Sequence, residues 1–295
     1  MKLEKIISLA NKNSEIRFLA MIRSLRATGC NLPVWVIPYD DNKFELPENC
    51  IWWEMGEVIG WLEANHAHKM MRKYQCLLTE NYQYVDSDVV FLRNPEIALS
   101  GYAGFITSCG HWHNPGHTYI EPLVKYYKEK TTTWQKDRFN AGQYACDTRL
   151  FRDLVSLKRF VEDPRYKEVC LNYKTYDQVA LNLLIHLSDV QVTNITLPPH
   201  NVESTWAGDY TDHNFERYWN DEEKKPYIIH WAGCEMNNDR PINNLFINYL
   251  SESEKKKWND QLLNPGNVSI YKKLRRKVSL LKQAIQSFKR IMHQR

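Results

Sequence analysis

Residues 82–95 read Tyr-Gln-Tyr-Val-Asp-Ser-Asp-Val-Val-Phe-Leu-Arg-Asn-Pro. Tyr82 to Val85 is the kind of short apolar and aromatic run that forms a strand, and it leads directly into Asp86 and Asp88. A second apolar run, Val89 to Leu92, ends at the turn Arg93-Asn94-Pro95. Ligands of open parallel sheets bind beyond the carboxyl ends of strands, so two carboxylates delivered there stand where chemistry is expected. Such a pair suits a hard divalent cation, Mn²⁺ or Mg²⁺, which takes carboxylate oxygens together with substrate phosphates and neutralises a departing diphosphate.

The flanking segments supply the rest of a sheet. Residues 5–10 read as a buried strand, and 15–28 carry Ile16, Leu19, Ala20, Ile22 and Leu25 at helical spacing before Gly29 closes the helix. Pro33 to Pro38 is a second strand that ends at Tyr39-Asp40-Asp41. This strand, helix, strand opening predicts a parallel α/β sheet. Residues 51–53 are a further strand candidate, and 66–80 read as a helix with Met70, Tyr74, Leu77 and Leu78 on one side. Beyond them come a strand at 104–107, a polar loop to about 117 and helices near 120–130 and 175–187, then a late strand at 227–233 ending in a tight turn.

The stretch Tyr84 to Pro95 resembles the metal-binding signature of GT-A-fold glycosyltransferases, most nearly that of the glycogenin and bacterial lipopolysaccharide galactosyltransferase group. The resemblance implies a mixed, Rossmann-like sheet flanked by helices, of the nucleotide-diphospho-sugar transferase type. In that group the two acids hold Mn²⁺ against the donor diphosphate and a late-strand His completes the site. His230, in Ile-Ile-His-Trp-Ala-Gly233, resembles that element. The family pattern has a phosphate-contacting Lys three residues after this Gly; here the residue is Met236, and Arg240-Pro241 lies near enough to substitute.

Asn140-Ala141-Gly142 resembles the family's Asn-x-Gly element, and Asp177-Gln178 its Asp-Gln at a helix start; both are thereby implied beside the donor sugar and the reacting carbon. Ala10, Asn11 and Asp40 resemble the nucleotide-base pocket, and Lys69 and Arg72 resemble residues that meet the donor phosphates. Read alone, these residues have plainer roles. Asn140 and Gly142 shape a turn, Asp177 favours the positive end of its helix, and His230 on an apolar strand is an ordinary core histidine. The implied function is metal-dependent transfer from a nucleoside diphosphate sugar, UDP-linked, to a glycan or lipid-linked acceptor; the resemblance implies retention of configuration, while inversion would need a carboxylate base near the acceptor hydroxyl, for which Asp177 is the candidate.

Composition narrows the setting more than the chemistry. Hydrophobic residues at 43% and charged residues at 25% are ordinary globular values and exclude neither an enzyme nor a binding module. Ten Trp and seventeen Tyr belong to a dense core or to a sugar-binding groove. Seven scattered Cys without a C-x-x-C pair suggest free thiols in a reducing compartment. The opening Met1 to Ile7 lacks a signal peptide's apolar region and no run is long enough to span a bilayer, so the expectation is a cytoplasmic protein.

Residues 271–295 hold nine Lys or Arg and no acid, leaving −5 on the remainder of a chain whose net charge is +4. Leu274, Val278, Leu281, Ile285, Phe288 and Met292 fall on one face of that segment. The pattern predicts a catalytic domain over 1–265 and a basic amphipathic helix over 266–295. Such a helix suits the anionic inner face of a membrane, where a lipid-linked acceptor resides. A single basic end argues against a nucleic-acid groove.

Three other readings compete. Cys109, His111, His113 and His117 are all zinc-ligand types, but their spacing matches no common site, and a polar loop over the active-site mouth, with Trp112 and the His residues touching an acceptor, is the simpler reading. Asp86-x-Asp88-x-Val90 also satisfies the motif of haloacid-dehalogenase-like phosphatases, with Gly208-Asp209 as a later acidic motif. That nucleophile belongs on a first strand, however, and two or three strands precede Asp86. The third reading is a degenerate domain that binds a nucleotide-sugar without catalysis, which the Met at 236 favours. Residues 200–225, with Trp206, Tyr210 and Trp219, are candidates for acceptor recognition or for core packing.

Overall fold

The computed structural model describes residues 1–113, 116–172, 177–236 and 240–263. The basic segment 271–295 lies outside the described residues. The chain divides into two units, Met1–Leu250 and a second that begins at Ser251, whose described part is the helix Glu252–Leu263. No helix among the described residues is long and apolar enough to cross a membrane.

The first unit is built on a seven-stranded sheet. Its strands are β1 (Lys5–Ala10), β2 (Val34–Pro38), β3 (Cys50–Trp52), β4 (Tyr82–Asp86), then, past the short β5 (Val89–Phe91), β6 (Phe105–Thr107), β7 (Gln143–Cys146) and β8 (Val192–Asn194). The spatial order is β3-β2-β1-β4-β7-β6-β8. The first four in that order are parallel, as the opening predicted; β7 runs antiparallel to both β4 and β6, which makes the sheet mixed. β5 leaves the main sheet and pairs antiparallel with β9 (Ile228–His230).

Alternation along β1 explains why the sheet is covered on both sides. Ile6 and Ala10 pack with Phe18, Leu25, Val34 and Val85, whereas Ile7 and Leu9 pack with Tyr74, Leu77, Tyr82 and Tyr84. The helix Glu15–Ala27 closes one face, and Gly29 past its end adopts φ +81°, a left-handed conformation natural to glycine at this position. Register places Leu9 beside Asp86 and Ala10 beside Pro38, so β1, β2 and β4 end at one edge of the sheet.

One element departs from its sequence pattern. The predicted helix over 66–80 is a 3-10 helix, Lys69–Leu78, and every residue from Met71 to Leu78 is buried. It is packed between the helices Gly56–Ala64 and Asp177–Leu187. A segment enclosed on all sides has no solvent face, so its apolar spacing does not show which polar residues turn inward.

Candidate metal centre and the adjoining cavity

Asp86 is the last residue of β4, and its backbone N–H donates to the Gly142 carbonyl at 2.7 Å. Two residues on, Asp88 directly precedes β5, whose pairing with β9 sets Val89 opposite His230. The Trp231 N–H donates to the Asp88 carbonyl at 3.0 Å, which fixes the two strand ends together. The result is a cluster in which ligand atoms of Asp86, Asp88 and His230 all lie within 4.8 Å of one another. His230 Nε2 stands 3.3 Å from Asp88 Oδ1 and the ring is 3% exposed. Burial pushes the Asp88 carboxyl up, but His230 and the Arg17 cation on the Glu15–Ala27 helix outweigh it and hold Asp88 well below the usual carboxylate range.

The donor set fits a divalent ion: two carboxylates and one imidazole converge from two strand ends. Gly142 supplies the space beside them. A Cβ at that position would lie 2.5 Å from Asp86 Oδ2 and 2.8 Å from His230 Nε2, distances no ordinary contact reaches. The glycine is therefore required by close approach, not by its own φ.

Behind Asp86 sits Lys73, 1% exposed. Its ammonium lies 2.6 Å from Asp177 Oδ2 and 3.0 Å from Asp86 Oδ1, and it donates to the Ala141 carbonyl at 3.2 Å. These contacts use all three of its donors. The Tyr84 hydroxyl donates to the same Asp86 oxygen at 2.6 Å, and the ammonium lies over the Tyr84 ring. Burial disfavours the charged lysine, but the two carboxylates outweigh that cost and raise Lys73 above its ordinary value.

Asp177 begins the helix Asp177–Leu187, and its neighbour Gln178 anchors the turn that faces the cluster. Gln178 Oε1 accepts from the Ala141 N–H at 2.7 Å and its Nε2 donates to the Phe139 carbonyl at 3.0 Å. Asn140 Oδ1 accepts from the Gly142 N–H at 2.8 Å, so Asn140 shapes the turn as its residue type suggests.

At the other strand ends, Asn11 Nδ2 donates to Asp40 Oδ2 at 3.0 Å, and Asn11 Oδ1 caps the following 3-10 turn. Ala10 is buried at the end of β1. Arg72 is buried too, with Nη1 on the Pro38 carbonyl at 2.7 Å and Nη2 on Glu63 at 2.9 Å. Lys69 is exposed, with its ammonium 5.9 Å from the Tyr39 ring centre. The structure thus gathers Asp86, Asp88, His230, Gly142, Asn140 and Asp177 at one place and turns Arg72 toward Pro38 and Glu63. Gly233, at φ +68°, makes the predicted tight turn after β9; Met236 is buried, and Arg240 caps the 3-10 turn Pro241–Asn243.

A cavity of about 490 Å³ adjoins the cluster, sharing His230 and Asn140 with it and reaching Ser108, His111, Thr205 and Trp206. The His-rich loop forms part of its wall. His111 Nε2 meets both oxygens of Asp209, at 3.1 and 3.0 Å. Among the described residues Asp86, Asp88 and His230 form the one metal-compatible group, so the zinc reading of Cys109, His111, His113 and His117 finds no support.

No protein-family model matches the sequence, and no curated protein matches it. Solved structures do. The apo structure of the bifunctional glycosyltransferase WbbM matches with a TM-score of 0.54 and 16% identity over 88% of this chain, which spans 52% of that one, about half its length. The galactosyltransferase LgtC, in complex with donor and acceptor sugar analogues, matches with a TM-score of 0.53 and 16% identity, over 86% of this chain and 99% of its own. The apo form of the glycosyltransferase GlyE of Streptococcus pneumoniae TIGR4 follows, with a TM-score of 0.50 and 12% identity over 88% of this chain and 64% of its own.

The chain has the GT-A fold.

Within the GT-A fold the phosphatase reading loses its geometry. Asp86 ends the fourth strand in chain order, and Asp209 is held by His111 and Ser204. The aromatic segment divides. Tyr210 and Trp219 are buried against Phe215 and one another, whereas Trp206 is half-buried and lines the cavity. The sequence reading missed Lys73, Tyr84 and Arg17. A buried lysine leaves no periodic mark, and its only trace is the uncharged run that follows it from Tyr74 to Leu78.

Proposed function

We propose that this chain is a metal-dependent glycosyltransferase that moves a sugar from a nucleoside diphosphate sugar, UDP-linked, to a glycan or lipid-linked acceptor. The observation that carries this reading is the convergence of Asp86, Asp88 and His230 at the strand edge beside the Lys73–Asp177 pair. The first three would hold the ion, and the imidazole in the set favours Mn²⁺ over Mg²⁺, which prefers oxygen ligands. When bound, the ion supplies charge neutralisation where the leaving diphosphate develops it. LgtC, crystallised with donor and acceptor sugar analogues, is a precedent for both substrate classes on this fold.

The chain's own residues then divide the work. Lys73 fixes Asp86 and Asp177 relative to each other, Gln178 sets the Asn140–Gly142 turn, and Asn140 faces the cavity that opens from the metal centre. Asn11 and Asp40 receive the nucleoside, Lys69 meets the phosphates at the edge, and Arg240 takes over from the Lys that Met236 replaces. Asp177 is 6% exposed and bound to an ammonium, a poor position for a base that must reach an acceptor hydroxyl. This favours retention over inversion.

The same reading divides the chain into a catalytic domain, 1–265, and a basic amphipathic segment, 266–295, that meets the anionic inner face of the membrane from the cytoplasm. The pattern of nine cations and six apolar residues on one face supports it.

Calorimetric titration of UDP and UDP-sugars with and without Mn²⁺ tests the proposal, alongside an Asp86→Ala/Asp88→Ala variant. Metal-dependent binding that the variant loses is the expected result. A wild-type protein that binds no nucleotide refutes the reading. Binding without transfer or hydrolysis across a broad acceptor panel favours the degenerate domain that Met236 suggests.

A further inference from the structure

The cavity beside the metal centre differs in chemistry from the centre itself. Asp86, Asp88, Lys73 and Asp177 are ionic, whereas the cavity lining holds no Lys, Arg, Asp or Glu among the described residues. Lys73, Asp177 and Gln178 do not line it, so it is a second compartment that adjoins the metal centre through His230 and Asn140.

Its polar surface is built rather than incidental. Ser108 Oγ donates to Gln143 Oε1 at 2.6 Å, Gln143 Nε2 donates to Thr205 Oγ1 at 3.0 Å, and Thr205 Oγ1 donates to the Ser108 carbonyl at 2.9 Å. All three residues are buried. Above this floor stands His111, held through Nε2 by Asp209. In the neutral ring that contact places the proton on Nε2 and leaves Nδ1 as an acceptor. His111 meets the Trp206 ring edge-on, with centroids 4.9 Å apart.

Trp206 is fixed on several sides. Its Nε1 donates to the Ala232 carbonyl at 2.9 Å, and its backbone bridges to His230, whose N–H donates to the Thr205 carbonyl at 2.7 Å. A Cβ on Gly208 would strike the Trp206 benzo ring. A rigid indole, an imidazole acceptor and hydroxyl groups without fixed charge are what an uncharged pyranose needs: an apolar ring face stacks and its hydroxyls are paired.

We propose that the part of the cavity formed by Ser108, Thr205, His111 and Trp206 is the acceptor subsite and that it selects an uncharged pyranose, with His111, oriented by Asp209, holding one of its hydroxyls. The proposal rests on the glycosyltransferase reading for the word acceptor, but the sugar site itself is tested separately. An anionic sugar would enter a subsite whose lining offers its carboxylate no Lys or Arg, at a desolvation cost that no cationic side chain there offsets.

The test is saturation-transfer NMR on the full chain with Mg²⁺ and UDP, using methyl glycosides of galactose, glucose and N-acetylglucosamine, with the methyl glycosides of glucuronic acid and sialic acid as charged comparators. A calorimetric titration of UDP into the same protein with Mn²⁺ runs alongside. At least one neutral glycoside is expected to bind and the charged ones to bind at least about fivefold more weakly, the loss of one uncompensated hydrogen bond. His111→Ala, Trp206→Leu and Gly208→Ala should each weaken the neutral glycoside by at least about fivefold; Gly208→Ala removes no polar group and acts only by displacing the indole. Cooperative melting of each variant shows that it has folded.

Equal binding of neutral and charged glycosides, undiminished binding by the variants, or a wild type that takes UDP but no neutral glycoside overturns the subsite. Failure to bind UDP with metal, while the glycosides still bind and the variants still lose them, overturns the glycosyltransferase reading and leaves the sugar site standing.

Discussion

Removing the Lys73 ammonium should expose how much of the site's geometry depends on one buried charge. The group sits between Asp177 and Asp86, at 2.6 and 3.0 Å, with 1% of the residue exposed. Lys73→Met keeps the chain length and the apolar stem but leaves two carboxylates facing each other without a cation. Breaking a buried pair by deleting one partner costs about 3–5 kcal/mol, against a total stability of about 5–15 kcal/mol. For a unit of this size each kcal/mol lowers Tm by about 2–4 °C, so the variant should melt about 6–20 °C below wild type.

The double variant Lys73→Met/Asp177→Asn removes the orphaned charge as well and should recover roughly half of that loss or more. Scanning calorimetry in chelator, over a pH series, checks both. In the wild type a raised lysine contributes stability that is complete below its ordinary value and is lost only as pH rises through the folded one, far into alkali. Burial and the neighbouring Asp86 already push Asp177 up against the pull of Lys73, and losing the lysine pushes it further, so the single variant's added penalty is absent when both states are protonated and develops as pH rises from about 4. The Tm deficit should therefore shrink between about pH 7 and about pH 4. A deficit under about 1 kcal/mol, or one that neither acid nor Asp177→Asn reduces, would refute the buried-bridge account.

Other consequences are open to equally direct measurement. Gly142→Ala drives a Cβ into Asp86 and His230 and should weaken Mn²⁺ binding about 10–100-fold by calorimetry; affinity within about twofold of wild type would show the cradle to be unnecessary. Burial, reinforced by Arg138, brings the His186 imidazole down to about 4, so stability should fall by about 1–3 kcal/mol as pH drops from about 6.5 through 4, and His186→Phe should flatten that stretch of the urea-denaturation profile. Replacing Lys272, Lys273, Arg275, Arg276 and Lys277 by Gln should weaken sedimentation with phosphatidylserine vesicles by about 10–10³-fold, and salt near 1 M should do the same to the wild type; salt-insensitive binding would remove the electrostatic basis of the membrane reading.

What the sequence disclosed and what it withheld follow one physical division. Asp86, Asp88 and His230 were legible because each stands at the end or edge of a short apolar strand, and strand ends at one edge of a sheet are neighbours whatever the connections between them. Leu9 opposite Asp86 and Val89 opposite His230 realise that neighbourhood. The antiparallel placement of β7 was not legible, because β4 and β7 are 57 residues apart in the chain and their partnership is set by long-range pairing.

Lys73 was hidden for a different reason. A surface helix announces its polar face by period, but the 3-10 segment Lys69–Leu78 is enclosed from Met71 onward, so Lys69, Arg72 and Lys73 read alike in sequence although one is exposed, one is turned to Glu63 and one neutralises two acids. The partners that decide among them lie on β4 and on the Asp177–Leu187 helix, which no local pattern connects to residue 73. The same logic reassigns the aromatics. Tyr210 and Trp219 have the composition of a sugar platform but are used in packing, and Trp206 alone of the three is fixed by its Ala232 and His230 contacts at the rim of an uncharged cavity. Chemistry carried on strand ends is therefore readable from one chain, whereas chemistry carried by enclosed helices and by loops that meet across the sheet depends on contacts that exist only after folding.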